Sequence, residues 1–195
     1  SEISPGIMIT VFNYRINQLL GTNGLVTFTV LMYIYNLVLM VMVGTSQGTQ
    51  PLVSFYYGRN DKKAVSTLHK YAHVLVSCAG ALLFLVVEIF APNITSAFIP
   101  KDTANYYNTI IALRQFSFVF LIMGHVVITS GYMVALEEPR KAFVLSISRG
   151  ILFVLLSLFI CTTLFKENGI WISCTISEIF CLSIALYDLK TQKKI

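Results

Sequence analysis

Long uncharged stretches constrain this chain more than any other feature of its sequence. Residues 16–58 contain no Asp, Glu, Lys or Arg, and residues 115–136 contain none either. A helix crosses the hydrocarbon core of a bilayer with ~20 apolar residues, so runs of this length predict membrane spans. The whole chain is 56% hydrophobic and 12% charged, whereas a soluble domain has roughly a quarter of charged residues. We therefore predict an integral membrane protein.

The apolar runs are continuous rather than alternating, which favours helices over a membrane barrel and predicts an all-α fold. Short segments rich in Gly, Pro, Asn and Asp separate the runs, as expected of turns between helices. No linker of disordered composition interrupts them, so residues 1–195 are predicted to form a single membrane domain. The predicted spans cover about residues 3–20, 25–48, 71–91, 108–136, 142–165 and 170–186.

The basic residues follow every second span, and this spacing predicts the orientation of the chain. The loop after span three contains only Lys101 and the loop after span five only Lys166. Cations collect on the cytoplasmic side of membrane proteins, so we expect the other clusters and the C-terminus to be cytoplasmic, in a cell (plasma or inner) membrane. This placement explains the basic pI without a nucleic-acid partner. The clustered cations are Arg59, Lys62, Lys63, Lys70, Arg140, Lys141, Arg149, Lys190, Lys193 and Lys194.

The sharpest local motif lies at the end of the second span. Gly44 and Gly48 form a GxxxG pair, which permits close approach of another helix. Pro51 removes a backbone donor and predicts a kink. Gln47 and Gln50 are placed to satisfy the freed carbonyl or to line a polar path. Helix packing alone also explains these residues.

Charged residues inside spans are candidate functional groups, because an ionised group at membrane depth is costly unless it is paired or faces a cavity. Glu88 and Arg114 have matching depths, so they either form an ion pair or each reach the outer interface. Glu178 lies nine residues after Gly169, which is near the midplane at ~1.5 Å per residue. It either lines a cavity, as a candidate proton carrier, or pairs with a neighbouring helix.

Other intramembrane polar residues point to structural roles. We interpret His125, together with Asn13, as an interhelical hydrogen-bonding group rather than a ligand site. The four cysteines lack CxxC spacing, which argues against zinc. Nucleotide-binding, metalloprotease, nucleophile-elbow and haem motifs are also missing from the sequence, so we expect no enzymatic activity, no catalytic residues and no metal or other cofactor.

The run from Gly44 to Gly58, with Gln50, Pro51 and the basic residues after it, resembles the end of a lobe's second helix in multidrug and toxic compound extrusion (MATE) transporters. Weaker similarities appear in the expected order along the chain, so the resemblance covers essentially all of it. They lie at residues 12–14, at 113–114 with 124 and 132, and at 145–150 with 169–171.

The resemblance implies one six-helix lobe of a twelve-helix transporter, and specifically the C-terminal lobe, with a separate N-terminal lobe as its partner. It further implies alternating-access export of drugs or organic cations in exchange for sodium ions or protons. The family's sodium-site glutamate aligns near Gly6, with Glu2 about one turn earlier, and its second acidic residue has no counterpart in residues 108–136.

Two other functions remain open from the sequence. A lipid or lipid-linked oligosaccharide flippase of the same superfamily shares the lobe architecture but usually has a more cationic cavity, whereas this lobe offers Arg15 and Arg114. A non-transporting membrane scaffold would use its spans only for packing against other proteins.

Overall fold

The chain is built from long helices whose breaks divide it into membrane-length segments. The structure, a computed structural model, describes residues 3–192, and describes side chains for residues 8–138 and 140–185. Within these residues there is no strand. The elements are α1 (Ile3–Gly58), α2 (Lys62–Ser96), α3 (Ala104–Ser117), α4 (Phe120–Ala135), α5 (Pro139–Ile147), a π-helical turn (Ser148–Leu152) and α6 (Phe153–Gln192).

Two of these helices contain a break in the helical dihedral angles. In α1 the break is Gly21, with φ 62° and ψ −154°, a conformation that only glycine adopts easily. In α6 the break is Lys166, with φ 50° and ψ −122°. Both breaks fall where the sequence predicts a turn between spans.

Pro51 does not break α1, and the kink predicted at that position stays a prediction. The structure assigns helical dihedrals on both sides of Pro51, and α1 continues to Gly58. The fixed φ of proline is itself compatible with a helix, and the cost is one backbone hydrogen bond. Gly21 supplies the break in α1 instead.

The α2 helix begins earlier than the sequence predicts. The Asp61 Oδ1 atom accepts a hydrogen bond of 2.9 Å from the Ala64 backbone amide, which satisfies one of the free amides at the helix start. Lys70, predicted to lie in a loop, is therefore an exposed residue within α2. The preceding turn contains Asn60 at φ 57°.

The fourth predicted span is bent rather than straight. α3 and α4 meet at an angle of 43° across residues 118–119. The Ser117 hydroxyl donates to the Arg114 carbonyl oxygen at 2.7 Å, and the next amides donate three residues back, as from Val119 to Phe116. Side-chain competition and tightened hydrogen bonding of this kind bend helices.

The main core lies where α1, α2, α3, α4 and α6 pack together. Its largest buried side chains include Phe12, Leu31, Met42, Phe116 and Phe120. The rings of Phe12 and Phe28 stack at 5.4 Å within α1, on opposite sides of the Gly21 break. Aromatic contact across the break fixes how the two parts of α1 pack.

The outer surface is apolar, as a lipid-facing surface must be. Large side chains such as Ile89, Phe159 and Leu164 are more than 65% exposed. Three helical stretches are long and apolar enough to span a membrane, and a fourth is obtained if the bent pair α3–α4 counts as one. Because α1 and α6 each contain a break, these stretches provide six membrane-length segments.

Candidate functional site

An ion pair inside the lobe is the centre of the candidate site. Arg149 lies in the π-helical turn, and its Nε donates to Glu178 Oε1 of α6 at 2.8 Å. The same guanidinium donates to the Tyr35 hydroxyl of α1 at 3.5 Å. The side chains are 22% and 7% exposed, respectively. The interaction thus joins α1, the π turn and α6.

The position of Arg149 corrects its predicted place in a cytoplasmic loop. A π turn contains one residue more per turn than an α-helix, which rotates the side chains next to it. Here the turn places Arg149 beside Glu178. The sequence shows that Arg149 is a cation but does not show the extra residue in the turn. The assignment of Arg149 to the basic clusters was therefore wrong.

Of the two alternatives for Glu178, the structure selects pairing. Its Oε2 atom is buried and has no hydrogen-bond partner in the described part of the chain, and the same holds for the hydroxyls of Thr175 and Ser177. Trp171 and Cys174, which share a helical face with Glu178, are also buried. The carboxylate therefore neutralises Arg149 and keeps one unused oxygen.

A second ion pair links α2 and α3. Glu88 Oε2 lies 3.7 Å from Arg114 Nε, and Glu88 Oε1 lies 2.7 Å from the Ser117 hydroxyl oxygen, whose single hydrogen it shares with the Arg114 carbonyl oxygen. The predicted ion pair between these residues is confirmed. Half of the Arg114 side chain is exposed, so the pair lies at the surface of the lobe.

Arg15 connects the first part of α1 with α6. Its Nε and Nη2 atoms both donate to Thr162 Oγ1 at 3.3 Å, and Nη1 donates to Gln18 Oε1 at the same distance. Asn13, two residues earlier, is exposed on the surface of the lobe. Glu2 lies outside the described residues.

The GxxxG pair faces away from the lobe. A methyl group added at Gly44 or at Gly48 would have no atom within 4 Å, so no helix of the described chain uses these residues for close packing. Gln47 is exposed beside them, while Gln50 is half-buried and donates to Ser46 Oγ at 3.4 Å.

Close helix packing occurs at other glycines, for which the sequence predicted no packing role. A methyl group on Gly80 would lie 2.5 Å from the Phe120 carbonyl oxygen, and one on Gly124 would lie 2.8 Å from Met42 Sδ. These glycines bring α2, α4 and α1 together. A single sequence gives no signal that separates them from Gly44, because which face is buried depends on the fold.

The three histidines of the chain lie together between α2 and α4. His73 contacts His125 and His69 through its two ring nitrogens, at 2.8 and 3.0 Å. From the sequence only His125 was assigned a role, and His69 and His73 were missed. Their spacing of four residues on one helix face is the signal that was available.

No group of three or more His, Cys, Asp or Glu side chains among the residues described is arranged to hold a metal ion. The cysteines are free, and Cys161, Cys174 and Cys181 are buried. The fold and site define a polytopic helical membrane protein with ionised groups paired inside and at the edge of its helices.

A family model described as MatE matches residues 6–160. The chain belongs to the MATE family of membrane transporters, as its sequence motifs predicted. No curated protein sequence matches it significantly.

Solved MATE structures have the same fold. An outward-facing multidrug resistance MATE transporter of the MOP superfamily matches with a TM-score of 0.90 at 20% identity, over 99% of this chain and 44% of that protein. A MATE protein in the straight conformation matches with a TM-score of 0.90 at 20% identity, over 100% and 44%. A MOP superfamily transporter from Pyrococcus furiosus matches with a TM-score of 0.89 at 19% identity, over 97% and 43%. The chain thus spans less than half the length of these proteins, and the predicted all-α lobe is confirmed.

Proposed function

We propose that the chain is the C-terminal lobe of a secondary antiporter, which exports drugs or organic cations in exchange for sodium ions or protons by alternating access. Family membership supports transport, and the 44% coverage of a solved relative is the share expected for one of two lobes. The whole transporter then needs a second lobe opposite this one.

The balance of charges inside the lobe supports organic cations as the substrate. Arg149 is neutralised by Glu178, and Arg114 by Glu88. Arg15 is thus the intramembrane cation without a described carboxylate partner, and it is bound to Thr162. A lobe with so little uncompensated positive charge favours organic cations over the anionic headgroups that a flippase would move.

Pocket polarity differs between proteins with this fold. The Pyrococcus furiosus relative is described as having a binding pocket of reverse polarity, which suggests a different function for it. The fold alone therefore does not select the substrate, and the paired arginines of this lobe are the observation that supports organic cations.

We place the substrate path along the exposed polar face of α1 beyond Gly21. Asn36 and Gln47 are eleven residues apart, which is close to three full helical turns, so they share one face. Both are exposed, although the Asn36 amide donates to the Met32 carbonyl oxygen at 2.8 Å. Asn13, exposed in the first part of α1, is a further candidate for this path, and Glu2, another candidate from the sequence, lies outside the described residues.

The deciding experiment reconstitutes the complete transporter in proteoliposomes and measures the movement of ethidium, an organic cation, under imposed sodium or proton gradients. We expect drug flux that depends on one of the gradients, with Gln47→Leu and Asn36→Leu each lowering it. Asn93→Leu, on the exposed surface of α2, serves as the matched control. Lipid scrambling without ethidium flux would instead identify a flippase, and neither activity would favour a scaffold.

We also propose that Glu178 contributes to ion coupling, because its unused Oε2 oxygen can accept a proton or contact a cation. Glu178→Gln keeps an oxygen for the Arg149 guanidinium but removes the charge. We expect drug binding to persist while gradient-driven drug flux falls. An unchanged dependence of flux on both gradients would contradict a coupling role.

We further propose that the protein lies in a cell (plasma or inner) membrane, with the turn at Arg59–Lys63 and the C-terminus in the cytoplasm. Lys63→Cys and Lys101→Cys would then react with an impermeant maleimide from opposite sides of the membrane. Labelling of both from one side would contradict this topology. Lys193 and Lys194 lie outside the described residues.

A further inference from the structure

Four cations form an exposed patch where α1 ends and α2 begins. Arg59, Lys62 and Lys63 lie within one stretch of five residues, and Lys70 follows seven residues after Lys63. Seven residues is close to two full helical turns, so Lys70 lies on the same face of α2 as Lys63, about 10 Å further along the helix. All four residues are exposed. We call these four residues the basic patch.

The basic patch has no ion-pair partner among the residues that the structure describes. Its neighbouring acid, Asp61, caps α2 by accepting a hydrogen bond of 2.9 Å from a backbone amide. The four cations and this one carboxylate leave residues 59–70 with a net charge of +3, counting His69 as neutral. Lys62 and Lys63 also lie in the first turn of α2, where the partial positive charge of the helix start disfavours cations. An external anion is therefore stabilised at this place.

The backbone next to the basic patch is already fully used. The amides of residues 59–62 all donate to carbonyl oxygens of the chain at 2.9–3.2 Å. An anion is therefore bound by the side chains rather than by these amides. The Arg59 guanidinium lies over the Phe55 ring, 5.5 Å from its centroid. A guanidinium held by its flat face keeps the donors at its edge available for the oxygens of a phosphate.

The basic patch lies where the apolar surface of the lobe ends. On α1 the exposed side chains of Leu52 and Phe55 come just before Arg59, and on α2 the exposed Tyr71 and Val74 follow Lys70. Exposed apolar side chains face the hydrocarbon, whereas tyrosine is typical of the membrane boundary and lysine extends its ammonium group toward it. The four cations therefore lie at the depth of the lipid headgroups.

A second turn at the same end of the lobe is not basic. The ends of α1, α2 and α4 pack there in one small buried cluster. Residues 137–141, which follow α4, contain two cations and two glutamates, and Lys141 Nζ lies 2.7 Å from Glu138 Oε2. Both turns border the same headgroup layer, so a position at the membrane boundary does not by itself produce an excess of positive charge.

An anionic phospholipid has the chemistry that matches this surface. Its phosphate accepts hydrogen bonds from Arg and Lys side chains, and its acyl chains lie against the apolar face of α2 that follows Lys70. A soluble acidic segment would use the cations but not the adjoining apolar surface. Clusters of cations directly beside a membrane span attract anionic lipids, and each cation adds to the attraction.

We propose that the basic patch binds the headgroup of an anionic phospholipid, whose acyl chains pack on the exposed face of α2 at Tyr71 and Val74. The site holds a lipid at the edge of the lobe. It does not depend on the antiport function proposed above.

Photocrosslinking locates the bound lipid directly. The complete protein is reconstituted in phosphatidylcholine vesicles with a trace of either phosphatidylglycerol or phosphatidylcholine that carries a photoreactive acyl chain. Mass spectrometry of the peptides is expected to show labelling of residues 71–75 that favours phosphatidylglycerol. Lys62→Gln combined with Lys63→Gln should lower the ratio of the two labels by at least about fivefold, since one cation near an anionic membrane surface contributes roughly that factor.

The control removes the same charge at the same end of the lobe. Arg140→Gln combined with Lys141→Gln should leave the ratio at residues 71–75 unchanged, because that turn contains its own glutamates. Equal labelling by the two lipids in the wild type, or equal losses in both double variants, would refute the site. Polyglutamate binding that the Lys62 and Lys63 substitutions abolish, with no lipid preference, would identify an acidic protein segment as the partner instead and would also refute it.

Thermal unfolding of the complete protein in detergent provides a second measurement. Because Lys62 and Lys63 are exposed, their double variant should unfold at the wild-type midpoint when only phosphatidylcholine is present. A ligand that binds only the folded protein raises the midpoint, so added phosphatidylglycerol should raise it less in this variant than in the wild type or the control variant. Equal increases in all three proteins would contradict binding at the basic patch.

Discussion

The buried ion pair between Arg149 and Glu178 permits the most demanding test of the structure. In Glu178→Ala the Arg149 guanidinium keeps only its 3.5 Å contact with the Tyr35 hydroxyl. Since Arg149 is 22% exposed, water replaces the lost carboxylate poorly. Removing one member of a buried pair costs about 3–5 kcal/mol of the free energy of unfolding.

Thermal unfolding of the complete protein in detergent measures this loss. For a chain of this size, 1 kcal/mol corresponds to roughly 2–4 °C in the unfolding midpoint, so Glu178→Ala is expected to lower it by about 6–20 °C. Glu178→Gln keeps an acceptor oxygen for Arg149 Nε and should lower the midpoint less.

The double variant Arg149→Met with Glu178→Leu provides the control. Replacing a whole buried pair with apolar side chains is often neutral or stabilising, because two desolvated charges are removed together. We expect its midpoint near or above that of the wild type. A double variant as unstable as Glu178→Ala, or a Glu178→Ala variant with an unchanged midpoint, would refute the assignment of Arg149 to the lobe interior.

Three further predictions concern stability and use the same unfolding measurement. Gly80→Ala should lower the free energy of unfolding by about 1–3 kcal/mol, since its methyl group would press on the Phe120 carbonyl oxygen. Gly44→Ala should not destabilise the protein, because a methyl group there meets no atom within 4 Å. Equal effects of the two substitutions would contradict close packing at Gly80. Lys166→Gly should raise the midpoint by relieving a strained backbone at φ 50° that costs about 1–3 kcal/mol, and a lower midpoint would show that the break is not strained. Arg114→Gln should lower the free energy of unfolding by less than about 1 kcal/mol, because half of the Arg114 side chain is exposed. A loss as large as that of Glu178→Ala would contradict the exposed position of Arg114.

Much of the fold follows from the sequence because the bilayer is a simple solvent. A helix in lipid must satisfy its own backbone hydrogen bonds, so a long uncharged run such as residues 16–58 can only be helical. The break at Gly21 and the start of α2 after Asp61 are also local, since glycine dihedrals and N-terminal capping involve neighbouring residues. The resemblance to MATE transporters likewise came from short motifs.

The candidate site was predicted less well, because its contacts join distant residues. The sequence marked Glu178 as an intramembrane charge, but its partner is 29 residues away and is aimed inward by a π-helical turn that has no sequence signature here. The GxxxG motif at Gly44 was recognised, yet the structure uses Gly80 and Gly124 for close packing. Motifs of this kind show where contact is possible without showing which helix is available.

The sequence by itself determined that this chain lies in a membrane, that it is helical and that it belongs to a transporter family, because those properties depend on hydrophobicity and local residue chemistry. Only the tertiary structure decided which polar groups meet. It paired Arg149 with Glu178, and it brought His125 of α4 to within 2.8 Å of His73 of α2. Such contacts depend on the angles and rotations of packed helices, and small local irregularities set those angles.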